Sequence, residues 1–257
     1  MIVVEANSKE NLTSNTKFSK ELLFKEVFRS SKDLPEVKTC LVMVHGFWGI
    51  YNTIKSSYKD IESRLIKSGV KYDLVVEFYW PSSEITINST LGFIDAEKRA
   101  PEAGWYLHNC LLQINDKYHP EEIVVQGHSL GSRVICEVQP RIDPVRDIKL
   151  PEFSVVFCAP AISNSKFLGT TRNMKIPLLI PFSKRPIKIA YSKKDPVLKW
   201  GFRLIPENWF SSAIGSSPSK KLLAYPGIHC FDLSQEVSTH SGYKYLPKYY
   251  KEILCPY

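Results

Sequence analysis

Glu122-Ile-Val-Val-Gln-Gly127-His128-Ser129-Leu130-Gly131-Ser-Arg-Val-Ile-Cys136 is the stretch on which the reading of this chain turns. An apolar run of β-forming residues enters a G-x-S-x-G pentapeptide, and a helix-like run leaves it. The backbone must turn from strand to helix within a few residues, which requires small residues on both sides of the turn. The serine is then held on strained backbone with its Oγ exposed, the layout of a nucleophile elbow. The pattern therefore predicts a strand, a serine at its carboxyl end, and a helix that starts beside it.

The segments to either side repeat the alternation. Lys38-Thr-Cys-Leu-Val-Met-Val44 reads as a buried strand ending at His45-Gly46-Phe47-Trp48-Gly49. Tyr58, Ile61, Leu65 and Ile66 fall at helical spacing and stop at Gly69. Tyr72–Phe78 restores the strand pattern before Trp80-Pro81-Ser82, and Ala96, Ala100, Ala103, Leu107, Cys110, Leu111 and Ile114 form the longest helical stripe, begun or kinked by Pro101. After the elbow, Phe153–Cys158, Ile187–Tyr191 and Lys221–Tyr225 read as strands, and a last helix is expected around Tyr243–Leu254. Strands alternating with helices predict an α/β fold, a mostly parallel sheet covered on both faces, with ligands at the carboxyl ends of the strands.

Residues 37–257 are read as one domain, and 1–36 as an N-terminal arm in which Phe18, Leu22, Leu23 and Phe28 mark a short docking helix. Residues 161–186 break the pattern around the apolar cluster Met174–Phe182, as a packed connection or as a lid over an apolar site. No run of eighteen apolar residues occurs, and Met1-Ile-Val-Val4 is too short for a signal-peptide core. A cytoplasmic setting is expected. Six cysteines without C-x-x-C spacing read as buried thiols rather than disulfides or a zinc site, and the sequons at Asn11 and Asn88 as coincidental. The formal charge is +8, concentrated between Lys166 and Lys221, where twelve Lys and Arg face only Asp195 and Glu207. That cluster reads as a solvated cationic surface or as a contact for an anionic membrane or partner. Nothing points to nucleic acid, and oligomeric state is not legible.

A serine hydroxyl needs a base within reach, a carboxylate to orient that base, and donors for the developing oxyanion. Ser129 is the candidate nucleophile. The amides of Leu130, next after it, and of Phe47, at the end of the first strong strand, are the candidate oxyanion donors. For the acid, Asp195 after the strand Ile187–Tyr191 competes with Asp232. Asp195 is favoured because it comes from a strand end separate from the loop bearing the base. For the base, His240 in the polar Ser-Thr-His-Ser-Gly loop competes with His229 in the apolar Ile228–Phe231 and is favoured. His128 reads as a packing or positioning residue, and His108 and His119 have no role assigned. Trp48, with Phe47 and Met174–Phe182, points to an apolar acyl group. No metal or cofactor is called for.

With these residues in view, the chain from about residue 38 to the C-terminus resembles a bacterial α/β-hydrolase family of unknown function that is similar to esterases and lipases. The resemblance lies in Val44-His-Gly-Phe47, Phe78-Tyr-Trp-Pro-Ser82, Asp95 with the alanine-bearing helix, Gly127-His-Ser-Leu-Gly-Ser-Arg-Val134, Ala159-Pro160, Tyr191-Ser-Lys-Lys-Asp195 with Leu198, and Phe231-Asp-Leu-Ser234 followed by His240. It implies an α/β-hydrolase fold, a triad of Ser129, Asp195 and His240, and hydrolysis of a small-molecule or lipid acyl ester. That family often carries an acid just after the Ala-Pro pair, where this chain has Ala161. The same residues leave open a thioesterase, an amidase or acyltransferase, or a non-catalytic binding module on the same fold.

Overall fold

The computed structural model describes residues 2–5, 23–26, 36–47, 51–82, 89–138, 152–168, 185–204 and 211–256. Its eight strands are β1 (Ile2–Glu5), β2 (Leu23–Glu26), β3 (Thr39–Val44), β4 (Leu74–Tyr79), β5 (Glu122–His128), β6 (Glu152–Cys158), β7 (Ile187–Tyr191) and β8 (Ile228–Asp232). They form one sheet in the order β2-β1-β4-β3-β5-β6-β7-β8. Every neighbouring pair is parallel except β1–β2 at the edge.

Both faces of the sheet are covered, which is why its central strands read as continuous apolar runs. Alternate residues go to opposite sides. Cys40, Val42 and Val44 of β3 enter a core shared with helix α2 (Ser89–Tyr118) and helix α3 (Gly131–Val138), whereas Leu41 and Met43 pack with helix α1 (Tyr51–Lys67) and the C-terminal Tyr243, Tyr249 and Tyr250. The alanine stripe of α2 is buried throughout, and its small side chains let α2 lie close against α3. Pro101 falls inside α2 rather than at its start. Cys40, Cys110, Cys136 and Cys158 are buried free thiols, as expected, and Cys230 and Cys255 are partly exposed free ones.

Three local readings are corrected. Lys221–Tyr225 is not the last strand: Lys220–Leu223 is a single helical turn, capped by Ser219, whose Oγ accepts from the Leu222 amide at 3.2 Å. The strand is Ile228–Asp232, its apolar character muted because only Ile228 is buried. The expected helix at 243–254 divides into a 3₁₀ turn (Gly242–Tyr245) and a short π-helical turn (Tyr249–Ile253). The break is at Leu246, which is extended (φ −91°, ψ 119°) because Pro247 follows it. Leu23, read as part of a docking helix, lies in β2, and β1 pairs with β4, so the segment read as an arm supplies two strands to the sheet. The pairing satisfies backbone groups that β4 would otherwise leave at an open edge. Phe18, Leu22 and Phe28 lie outside the described residues.

Within 161–186, residues 161–168 are tied to the chain at 211–219. Asn164 Nδ2 donates to the carbonyls of Ser212 and Ser217, Asn164 Oδ1 accepts from the Ser219 amide, and Phe167 is buried. The apolar cluster Met174–Phe182 and Trp48 lie outside the described residues.

Candidate active site

β5 delivers Ser129 into the turn before α3 with φ +53°, a left-handed conformation that is costly for a residue with a Cβ. The surroundings hold it there. Its amide donates to the Cys158 carbonyl at 2.9 Å, and its carbonyl accepts from the amides of Ser132 (3.2 Å) and Ala161 (3.1 Å). A Cβ on Gly131 would lie 2.4 Å from the Val44 carbonyl oxygen, and one on Gly127 2.7 Å from Ile135 Cδ1, so both glycines of the pentapeptide are required by close approach. The strand-to-helix turn is thus pressed against the neighbouring strand β3.

The end of β3 forms the wall beside the serine. A Cβ added to Gly46 would fall 2.8 Å from Ser129 Cβ, which sets the His45-Gly46-Phe47 turn directly against the nucleophile candidate. His45 braces that turn. Its Nδ1–H donates to the Gly46 carbonyl at 2.9 Å, its Nε2 accepts from the Trp80 amide at 3.1 Å, and Trp80 Nε1 donates back to the His45 carbonyl at 2.8 Å. The two rings stack with centroids 5.7 Å apart. The Tyr-Trp-Pro-Ser stretch after β4 therefore acts by clamping the loop that carries Phe47.

Burial pushes the His45 pKa down to about 4, and the Trp80 amide occupies the lone pair an incoming proton would take. With the folded pKa below the unfolded value of 6.5, the unfolded chain binds the extra proton. The contribution is intact above pH 6.5 and is lost as pH falls towards 4. His45 is expected to cost about 2 kcal/mol of stability by pH 5. Urea midpoints of wild type and His45→Gln at pH 7 and pH 5 check this; an equal loss in both proteins would refute it.

Of the competing acids and bases, the structure brings Asp195 and His240 together. Asp195 is fully buried; its Oδ2 accepts from His240 Nδ1 at 2.7 Å, while Oδ1 caps the turn Pro196–Lys199 by accepting from the amides of Val197 (3.0 Å) and Leu198 (3.1 Å). Both carboxylate oxygens are used, so the acid has one orientation. Asp232 is taken up elsewhere: Lys193 lies 2.8 Å away, and although burial alone would raise its pKa, Lys193 and Ser234 hold it down at about 2. His229 is exposed on β8.

His240 is seated on the elbow itself. The His128 ring packs against the His240 ring at a centroid distance of 4.9 Å, and its Nε2–H donates to the His240 carbonyl at 3.1 Å. Burial and the neighbouring His240 push His128 down to about 4, so it stays neutral and is a poor acceptor for the Ser129 proton. Ser129 Oγ makes no hydrogen bond among the described residues, and such bonds are often long until substrate is present. Leu130 is buried at the start of α3, and the Phe47 side chain packs edge-on against Phe93.

Beside this arrangement lies a cavity of about 160 Å³, bounded by Gly46, Phe47, His128, Ile54, Tyr243 and Lys244 among others. Tyr243 and Tyr249, which line it, were not legible as site residues, because nothing in their local sequence distinguishes them from core aromatics. Cys158 also lines it, but burial pushes its thiol up to about 12 and keeps it unreactive. Among the described residues no cluster of His, Cys, Asp and Glu could hold a metal ion, and no helix is long and apolar enough to cross a membrane.

A parallel sheet covered on both faces, with a positive-φ serine between a central strand and the helix after it, defines an α/β-hydrolase fold. The chain belongs to the family described as a protein of unknown function (DUF726), whose model matches residues 22–254. No curated protein matches it. Among solved structures it is similar to the product of the gene lin2722 from Listeria innocua, at 12% identity over 84% of this chain and 92% of that one, with a TM-score of 0.48. It is also similar to a protein described as a cell surface hydrolase from Lactobacillus plantarum WCFS1 (11% identity, 79% and 84% of the two chains, TM-score 0.44). A third is described as a CIB-like hydrolase from Thermoplasma acidophilum (12% identity, 90% and 85%, TM-score 0.37).

Proposed function

We propose that this protein is a serine hydrolase that cleaves a carboxylic ester through an acyl-enzyme on Ser129. The observation that carries the reading is the 2.7 Å bond between fully buried Asp195 and His240, with the His240 carbonyl accepting a hydrogen bond from His128, the residue preceding Ser129. In this mechanism Ser129 Oγ attacks the carbonyl carbon of the ester and passes its proton to His240 Nε2. Asp195 holds Nδ1–H and stabilises the imidazolium, and the amides of Leu130 and Phe47 donate to the tetrahedral oxyanion. Collapse expels the alcohol, which takes the proton from His240; water, deprotonated by the same ring, then releases the acid and frees Ser129.

His128 is the positioning residue in this scheme, since it fixes the backbone of His240 rather than touching substrate. The apolar part of the cavity wall, Val44, Phe47, Ile54 and Ile61, suits an apolar acyl group. The test is labelling with a fluorophosphonate, which phosphonylates only an activated serine. Wild type is expected to label stoichiometrically and Ser129→Ala not at all. Folded wild-type protein that fails to label, or a Ser129→Ala variant that labels equally, overturns the reading.

A further inference from the structure

The turn that Asp195 caps has a second face. Leu198 and Phe202 point into the protein and are almost fully buried, whereas Val197 (49% exposed) and Trp200 (63% exposed) are presented outward. Lys194, Lys199 and Arg203 are exposed around them, and none is paired with a carboxylate among the described residues. Residues 196–204 contain no acid, Lys193 is already neutralised by Asp232, and the charge of Asp195 is engaged by His240. The Lys199 ammonium lies over the Trp200 ring, 5.5 Å from its centroid. The result is an apolar tip of one Trp and one Val ringed by three uncompensated cations.

We propose that this element, residues 194–203, docks the protein on the surface of an anionic phospholipid bilayer. Two features together select that partner. A Trp ring has an apolar body and a polar N–H and settles at the headgroup level, while Lys and Arg extend apolar stems and place their charges among anionic headgroups. Each cation near such a surface strengthens binding roughly fivefold. An apolar contact plus a basic cluster is the two-signal combination that reversible surface attachment requires.

The element also lies where docking has a consequence. Asp195 follows β7 and Ser129 follows β5, so both stand at the carboxyl edge of one parallel sheet. The side chain that orients His240 is the one that caps the docking turn. A surface-bound molecule would therefore have this edge against the lipid, which makes a lipid-borne ester the substrate class. That last step rests on the hydrolase reading; the docking itself does not.

Co-sedimentation of the full chain with vesicles of phosphatidylcholine alone, or mixed with phosphatidylserine, tests the proposal. The protein is expected to bind the mixed vesicles and not the neutral ones, and to lose about tenfold or more in affinity between roughly 0.05 M and 0.5 M salt. Trp200→Ala and the triple variant Lys194→Glu, Lys199→Glu, Arg203→Glu are each expected to lose about fivefold or more. Both should keep the wild-type urea midpoint, which establishes that they are folded. Absence of binding to mixed vesicles, binding indifferent to salt, or folded variants that bind as wild type would each overturn it. Salt-sensitive binding to an RNA homopolymer or an acidic peptide without binding to vesicles would do the same. Vesicle binding by a protein that never labels would sink the hydrolase reading and leave this one standing.

Discussion

Asp195→Asn is expected to slow fluorophosphonate labelling of Ser129 by about ten-thousand-fold while leaving the fold intact. The two carboxylate oxygens have separate duties: Oδ1 accepts from the Val197 and Leu198 amides, and Oδ2 accepts from His240 Nδ1. An asparagine can keep its oxygen on the two amides, so the helical cap survives. Its amide nitrogen then faces His240 as a donor. Nδ1 must become the acceptor and Nε2 carry the proton, which is the wrong tautomer to accept from Ser129. Asp195→Ala should lose the same activity and in addition about 1 kcal/mol from the cap. Asp232→Asn, whose carboxyl serves Lys193 and Ser234, should label at close to the wild-type rate. Labelling rates with urea midpoints for the three variants separate catalysis from stability. Comparable slowing in Asp232→Asn would move the acid away from Asp195.

Gly131→Ala is expected to destabilise the protein by about 3 kcal/mol or more. The new Cβ would stand 2.4 Å from the Val44 carbonyl oxygen and 2.5 Å from that of His45. Neither obstacle is a side chain that can rotate away. Both belong to the backbone at the carboxyl end of β3, which is paired on both sides, with β4 and with β5. Relief would require moving α3 off the sheet, opening the α2–α3 contact and displacing the Ser129 turn. Gly201→Ala, whose Cβ would meet nothing nearer than Val197 Cγ1 at 4.0 Å, should change stability by no more than about 0.5 kcal/mol. Equal urea midpoints for the two variants would refute the packing argument.

Much of the sheet was legible because each central strand is buried on both faces and so leaves an unbroken apolar run. β3, β4, β5, β6 and β7 all announce themselves in this way, and the stripe of α2 does so through helical spacing. The misreadings fall where burial is one-sided or absent. Lys221–Tyr225 has strand-like composition, yet Ser219 supplies a side-chain cap that outweighs it, and β8 hides because only Ile228 is buried. β1 and β2 are four residues each, too short to carry a periodic signal, and β2, at the sheet edge, needs only backbone partners.

For the site, the sequence by itself determined the elbow, because a G-x-S-x-G between strand and helix admits one local geometry, and it determined which polar residues stand at strand ends. It favoured Asp195 as an acid at a separate strand end and His240 for its polar loop, with Asp232 and His229 as rivals. What the tertiary structure decided is which of these meet: residues 45 positions apart are joined by a 2.7 Å bond, and His128 reaches the His240 carbonyl across 112 positions. The physical reason is that local pattern governs hydrogen bonds within a turn or a strand. A contact between loops depends on how β7, β8 and the C-terminal segment pack, and no short stretch of sequence encodes that packing.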